Sequence, residues 1–326
     1  DVELARAACC ALWNLSSAAD NRLPLVRDGV HIAVMAAAQA HAGDVEVVRH
    51  AFAALANLSG AANNHVPLVR DGVHSAAARA DSGDVSVARH VCVVLWNLSG
   101  AADNCVTLVR DGAHVTVMTA ARTHGSDVEV ARYTCFTLNH LAVAADNWVP
   151  LVRDGAHIVV MEAAQTHSGD VGLARAACTT LQNLADAADN KVPLVRDGAH
   201  TVVMAAARAH AGDVEVARRA CGALWYLATT DDNDMSLFRD GTHTAVMAAL
   251  RAHAGDVEVA RRACGALRCL AMAADYSVPL LRGGAHTAVM AAARAHSGDV
   301  ELARAACCTL RCLAMAADYS VPLLRG

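Results

Sequence analysis

Aromatic side chains, lysine and proline are scarce in this chain. Phe, Trp and Tyr together make up 3% of its 326 residues, Lys191 is the single lysine among 27 basic residues, and there are six prolines. A hydrophobic content of 55% with so few rings excludes one thick aromatic core and favours many thin layers of Ala, Val and Leu. With a net charge of −5 and no lysine-rich cluster, no surface is built to track phosphates, so nucleic acid is not expected as a partner. No apolar run reaches the roughly 18 to 20 uncharged residues of a bilayer span, and no charged-then-apolar leader precedes Asp1, so the chain reads as soluble, without membrane insertion. Gly-rich phosphate loops, nucleophile elbows and zinc-hydrolase motifs are missing too, which leaves an enzyme reading without residues and implies no cofactor.

What is present is repetition. The arginine of a Leu-Val-Arg-Asp-Gly phrase returns at Arg27, Arg70, Arg110, Arg153, Arg196, Arg239, Arg282 and Arg325, in steps of 43, 40 and then 43 five times. Such a period without strand-like alternation predicts an all-α solenoid of repeats of about 43 residues. One solenoid over 1–326 then holds a partial repeat at 1–20, whole repeats at 21–63, 64–103, 104–146, 147–189, 190–232, 233–275 and 276–318, and a partial one at 319–326. Neither end carries a polar capping repeat, which predicts a fragment of a longer array, or a larger assembly joined through uncapped ends.

Within the unit, a short helix is expected after Asn21, with Pro24 in its first turn and a bend at Gly29. A second helix runs from about Val30 to His41, and Asp44 caps a third. On that third helix Val47, Ala51, Phe52, Leu55 and Leu58 share a face by three- and four-residue spacing and should be its packing side. The 40-residue step falls between Gly72 and Asp84, where a shortened second helix predicts a thin spot. The last two copies repeat Arg268-Cys-Leu-Ala-Met-Ala-Ala-Asp-Tyr from Arg311, the mark of an internal duplication.

Columns that recur in every copy read as structural. Seven of twelve cysteines (Cys9, Cys92, Cys135, Cys178, Cys221, Cys264 and Cys307) occupy one repeat position. Neighbouring rungs lie roughly 10 Å apart, the distance between packed helices, so they are expected as small buried thiols of a reducing compartment. Asn14, Asn57 and Asn97 open Asn-Leu-Ser sequons, read as unglycosylated. Two histidine ladders, one from His31 and His74 and one from His41 and His124, are spaced too widely to share a zinc ion. The first is expected to bond backbone and the second to complement helix dipoles. The Arg6 and Asp28 columns are expected to pair within or between repeats.

Leu12-Trp13-Asn14-Leu15-Ser16, Asp20-Asn21 and Leu25 to Gly29 resemble an armadillo repeat, and the resemblance covers essentially the whole chain. It implies three helices per repeat, stacked into a right-handed superhelix whose concave groove is lined by third helices and binds extended partner segments. The tryptophan that nuclear-cargo receptors of this family carry four residues before the groove asparagine is replaced here by Cys10, Ala53, Val93 and Phe136 among others. Trp13, Trp96 and Trp225 instead directly precede that position, as in armadillo domains of scaffold and ubiquitin-ligase proteins.

Columns that vary between copies mark the surface free to meet a partner. Relative to Asn57 they are His50, Ala53, Ala56 and Gly60, a stripe expected opposite the leucines. The asparagine column reads Asn14, Asn57, Asn97, His140, Asn183, Tyr226, Cys269 and Cys312; its amides can both donate to and accept from an extended backbone. The residue before it reads Trp13, Trp96, Asn139, Gln182, Trp225, Arg268 and Arg311 at its larger positions, and the residue seven before it includes His50, His90, Arg219 and Arg262. The tryptophans are expected as anchors and the four arginines as contacts for a carboxylate-bearing or phosphorylated segment. The expected function is a non-enzymatic scaffold in the cytoplasm or nucleus that binds an extended protein segment. The alternatives are substrate recognition within a ubiquitin ligase and an architectural rod.

Overall fold

The computed structural model describes residues 1–80, 83–272 and 274–315; the partial repeat expected at 319–326 lies outside them. The described residues form 22 α-helices and three short 3-10 turns, without a strand, as an α-solenoid. The chain divides into two compact units, Asp1–His167 and the part from Ser168 onward. The division falls inside the expected repeat 147–189, between its second helix, Ala156–Thr166, and its third, Val171–Leu184.

The repeat is built as its residues dictate. In the first whole copy a helix Ala19–Arg27 meets Gly29 at φ 77°, a left-handed turn that glycine enters without penalty, and the second helix Val30–Ala40 follows. Asp44 accepts from the Val47 amide and starts the third helix, Val45–Ser59. Pro24 is the sixth residue of its helix rather than part of the first turn, because the helix begins before Asn21. In later copies such as 62–70, a 3-10 turn precedes the α-helix, and Pro67 then does fall in the α-helical first turn.

Third helices carry the core. Val47, Ala51, Leu55 and Leu58 are fully buried and Phe52 is 1% exposed. In the first unit Val2–Ser17, Val45–Ser59, Val85–Ser99 and Val128–Leu141 stack in sequence; in the second, Val171–Leu184, Val214–Leu227, Val257–Met272 and Val300–Met315 do the same. The repeated cysteines are buried from Cys9 to Cys264 and all twelve thiols are free, while Cys307 is exposed. Burial pushes Cys92, Cys178, Cys221 and Cys264 up to about 12, so they stay protonated and inert.

Polar columns stitch successive repeats. Arg6 reaches Asp44 at 2.6 Å, and Arg218 and Arg261 reach Asp256 and Asp299 at 2.5 and 2.6 Å; Arg89 and Arg175 hold Asp127 and Asp213 in the same way. The first histidine ladder bonds carboxylate rather than backbone: His31 to Asp71 at 3.0 Å, His74 to Asp111 at 3.1 Å, His114 to Asp154 at 2.9 Å and His200 to Asp240 at 2.7 Å. Each aspartate follows the first helix of the next repeat, which places it over the buried ring. In the second ladder His167, His210 and His296 do not merely face a helix end. They bond the loop carbonyls of Gly125, Ser168 and Ala254 in the preceding repeat.

One rung of the first ladder is broken within the described residues. His243 sits where His200 does, but the aspartate position is Gly283, so its ring lacks the carboxylate that Asp240 offers to Nε2 of His200. The ring stacks instead on Phe238, with centroids 4.5 Å apart, and Phe238 in turn on Tyr276. A Cβ at Gly283 would meet nothing closer than 3.4 Å. Gly283→Asp should therefore rebuild the rung and raise unfolding stability by about 1 kcal/mol, the net worth of one hydrogen bond. An unchanged or lowered urea midpoint would show that the rungs are ornamental.

The shortened copy has a second helix of five residues, Val73–Ala77, where the next has eleven, Ala113–Thr123. A cleft of about 430 Å³ opens on one side, lined by Ala77, Ala80, Val91, Val115 and Ala120. A smaller one of about 190 Å³ opens against Met35, Ala38 and Phe52 on the other. The missing turns are the physical form of the expected thin spot.

Candidate partner-binding face

The residues that vary between copies lie on the third helices, and the structure shows how each is held. In the first unit the indole of Trp13 stacks on His50 of the next repeat, centroids 5.6 Å apart. Trp96 leans on Tyr133 and Phe136 at 5.3 and 6.1 Å. In the second unit Trp225 covers Gly265 so closely that a Cβ there would lie 2.7 Å from the ring. Each tryptophan thus packs on the following third helix and keeps its outer side available, with Trp13 still 38% exposed. Ala53 and Ala56 are buried, so the predicted stripe is not open along its whole length.

The asparagine amides are already committed as donors. Asn57 Nδ2 donates to the Trp13 carbonyl and Ser16 Oγ at 3.2 and 3.3 Å, and Asn97 Nδ2 to the Ala56 carbonyl and Ser59 Oγ at 3.3 and 3.0 Å. Both N–H bonds of each amide are used, which leaves Oδ1 to accept a backbone N–H from a partner. Asn14 is exposed, and its Nδ2 donates weakly to Cys10 Sγ at 3.8 Å. His140 takes the column's place with Nδ1 bonded to Ser99 Oγ at 3.1 Å, and burial lowers its pKa, keeping it neutral. His90 is likewise lowered by burial. Asn139 and Asn183 are half-buried on their third helices.

The second unit's stretch is richer in arginine, but most of it is spoken for. Arg219 pairs with Glu215 at 2.7 Å and Arg262 with Glu258 at 2.6 Å. Arg262 also crosses Gly222 to reach Gln182 Oε1 at 3.1 Å and the Arg218 carbonyl at 3.1 Å, so it clamps successive repeats. Tyr226 stacks beside Trp225, centroids 5.8 Å apart. Arg268 and Arg311 have no carboxylate partner among the described residues. Among the described residues no group of three His, Cys, Asp or Glu is placed to hold a metal, and no helix is long and apolar enough to cross a membrane.

Sequence reasoning missed the column of Arg22, His65, Cys105, Trp148 and Ser277. Its signal is position alone, because the residue types differ. Arg22, His65, Trp148 and Ser277 each donate to a carbonyl six residues back, at 2.8 to 3.2 Å. Asp234 is the acid in this column of donors, and its buried Oδ1 has no partner. Burial, with help from Asp231, pushes its carboxyl up to about 6. The Arg-held carboxylates go the other way: hydrogen bonding to Arg6, Arg89, Arg175 and Arg218 brings Asp44, Asp127, Asp213 and Asp256 down to about 2.

The two sets give opposite pH dependence. A raised folded-state pKa gives stability that is full below about 4 and lost as pH rises through 6; a depressed one gives stability present above about 4 and lost as pH falls through 2. Asp234→Asn should flatten the fall in melting temperature between pH 4 and 6 and leave the acid limb below pH 4 unchanged. A variant whose melting temperature falls as steeply as the wild type's between pH 4 and 6 would contradict this.

No family model matches the chain, and no curated protein matches its sequence. Solved structures do. A chain from the work on a phosphorylation switch controlling the interaction between cadherin and beta-catenin superposes with a TM-score of 0.71 at 17% identity, over 94% of this chain and 63% of that one. This chain thus matches less than two thirds of that neighbour's length. An engineered protein matches with a TM-score of 0.62 at 20% identity, over 78% of this chain and 97% of its own. At these identities the likeness is one of fold: both units consist of stacked helical repeats of the kind seen in these solved structures.

Proposed function

We propose that this chain is an armadillo-type, right-handed solenoid of three-helix repeats that binds an extended protein segment along the groove formed by its third helices. The observation that carries the reading is the division of labour on those helices. Leu55, Leu58, Leu95 and Leu98, in columns repeated in every copy, are fully buried, whereas the columns of Trp13, Asn57, Trp96 and Asn97 differ from copy to copy, and the two asparagines spend their N–H groups within the stack and keep Oδ1 to accept. Rigid aromatics beside hydrogen-bonding amides suit main-chain recognition with side-chain pockets. The structural neighbour from the cadherin and beta-catenin work supports a protein partner. A reducing compartment, the cytoplasm or nucleus, suits twelve free thiols.

Affinity purification from the source cell, with wild-type chain beside a Trp96→Ala, Asn97→Ala variant of unchanged helicity, tests the reading. The variant should retain a groove partner at least about tenfold less well, because anchors dominate interface energy. Equal recovery of every partner would move binding to another surface.

A further inference from the structure

The third helices of the second unit carry eight arginines. Arg175, Arg218 and Arg261 are paired with the aspartate of the next repeat, and Arg219, Arg262 and Arg304 with a glutamate on their own helix. Arg268 and Arg311 are the two left without a carboxylate among the described residues. Both stand in the column of Trp225, one and two repeats beyond it. Trp225 and Arg268 line a cleft of about 360 Å³ with Arg261, Arg262 and Arg304 and the glutamates Glu258 and Glu301, which with Asp299 already pair those three arginines. The buried Nε–H of Arg268 and the indole N–H of Trp225 both lack a proper acceptor. The group that touches both is the Cys269 thiol, which burial keeps protonated and which accepts weakly.

Successive rungs of one column are roughly 10 Å apart, the spacing of packed helices. An extended chain advances about 3.3 Å per residue, so three residues carry it from one rung to the next. Resting on the reading of this face as a groove for extended segments, we propose that Trp225, Arg268 and Arg311 select an acidic peptide segment. Its two carboxylates stand three residues apart, and an apolar side chain three residues beyond the first lies on Trp225. Planar guanidiniums suit bidentate pairing with carboxylates, and those of Arg268 and, one rung on, Arg311 are the ones not already spent on the glutamates and aspartate of this stretch.

Panning an unbiased library of twelve-residue peptides against the whole chain tests this. The wild type should enrich Asp or Glu pairs at three-residue spacing, and an Arg268→Glu, Arg311→Glu variant should enrich Lys or Arg at that spacing. For a selected peptide, Arg268→Ala and Arg311→Ala should each weaken binding about tenfold or more by fluorescence anisotropy. Arg268→Lys should restore part of the loss, which separates charge recognition from misfolding. Suppose the selected peptides lack the acidic pair, or keep it at another spacing, and still lose binding with Trp225→Ala. The acidic rule is then wrong while the groove stands. If no peptide is selected at all, both readings fall.

Discussion

Asn147→Ala should lower unfolding stability by about 2 to 4 kcal/mol, a large loss for one surface-distant amide. Asn147 is 2% exposed, and its Nδ2 donates to the Leu141 carbonyl at 2.8 Å and to the Cys105 carbonyl at 3.1 Å. The Leu141 carbonyl ends a third helix and has no helical partner to come, so the asparagine satisfies a group that burial would otherwise strand. The Cys105 carbonyl belongs to the first helix of the preceding repeat, which makes the same side chain a tie between repeats. Asn64 and Asn233 repeat the arrangement. Because stability in a solenoid is a sum of repeat and interface contributions, hydrogen exchange in Asn147→Ala should rise most at residues 98–147. A loss under about 0.5 kcal/mol would mean that water replaces the amide and that the site is less closed than its burial indicates.

Gly265→Val should cost about 2 to 3 kcal/mol, although valine is the better helix former. The cause is the indole of Trp225, which occupies the space of the new side chain at 2.7 to 2.8 Å. The chain already contains the compensated solution: at the equivalent positions of the first unit, Ala56 stands where Trp225 does and Val93 where Gly265 does. Trp225→Ala with Gly265→Val should therefore be more stable than the sum of the single changes by at least about 1 kcal/mol. Additive effects would show that the ring moves aside freely and is not positioned by the helix beneath it.

Much of the repeat was legible because each copy restates it. The left-handed glycines, the Asp44 cap and the buried Val47, Leu55 and Leu58 follow from spacing and residue type within one copy. What crosses between copies was harder to read. Asn64 and Asn147 look like helix-start residues, and their tie to the preceding repeat depends on how far one repeat is displaced from the next, which no single copy records. The aspartate partners of His31 and His74 lie 40 and 37 residues away for the same reason. One long-range signal was present and unread: 40 residues beyond Gln182 and Trp225 stand Gly222 and Gly265, small where a large side chain leans over. For the binding face, variable columns located the surface but not its accounting. Side-chain chemistry alone could not reveal that both N–H groups of Asn57 and Asn97 are taken, or that Arg219 and Arg262 are paired at home. The division after His167 has no counterpart in residue pattern, since the 43-residue period runs through it.

A partner bound as proposed lies extended along the third helices. A photo-crosslinking amino acid placed at His50, at His90 and, as a control, at exposed Val115 on a second helix tests it, with the captured sites sequenced. Adducts from positions 50 and 90 are expected on one linear stretch of a partner, about three residues apart, and none from position 115. Adducts from position 115 alone, or sites from 50 and 90 scattered over a folded partner surface, would contradict it.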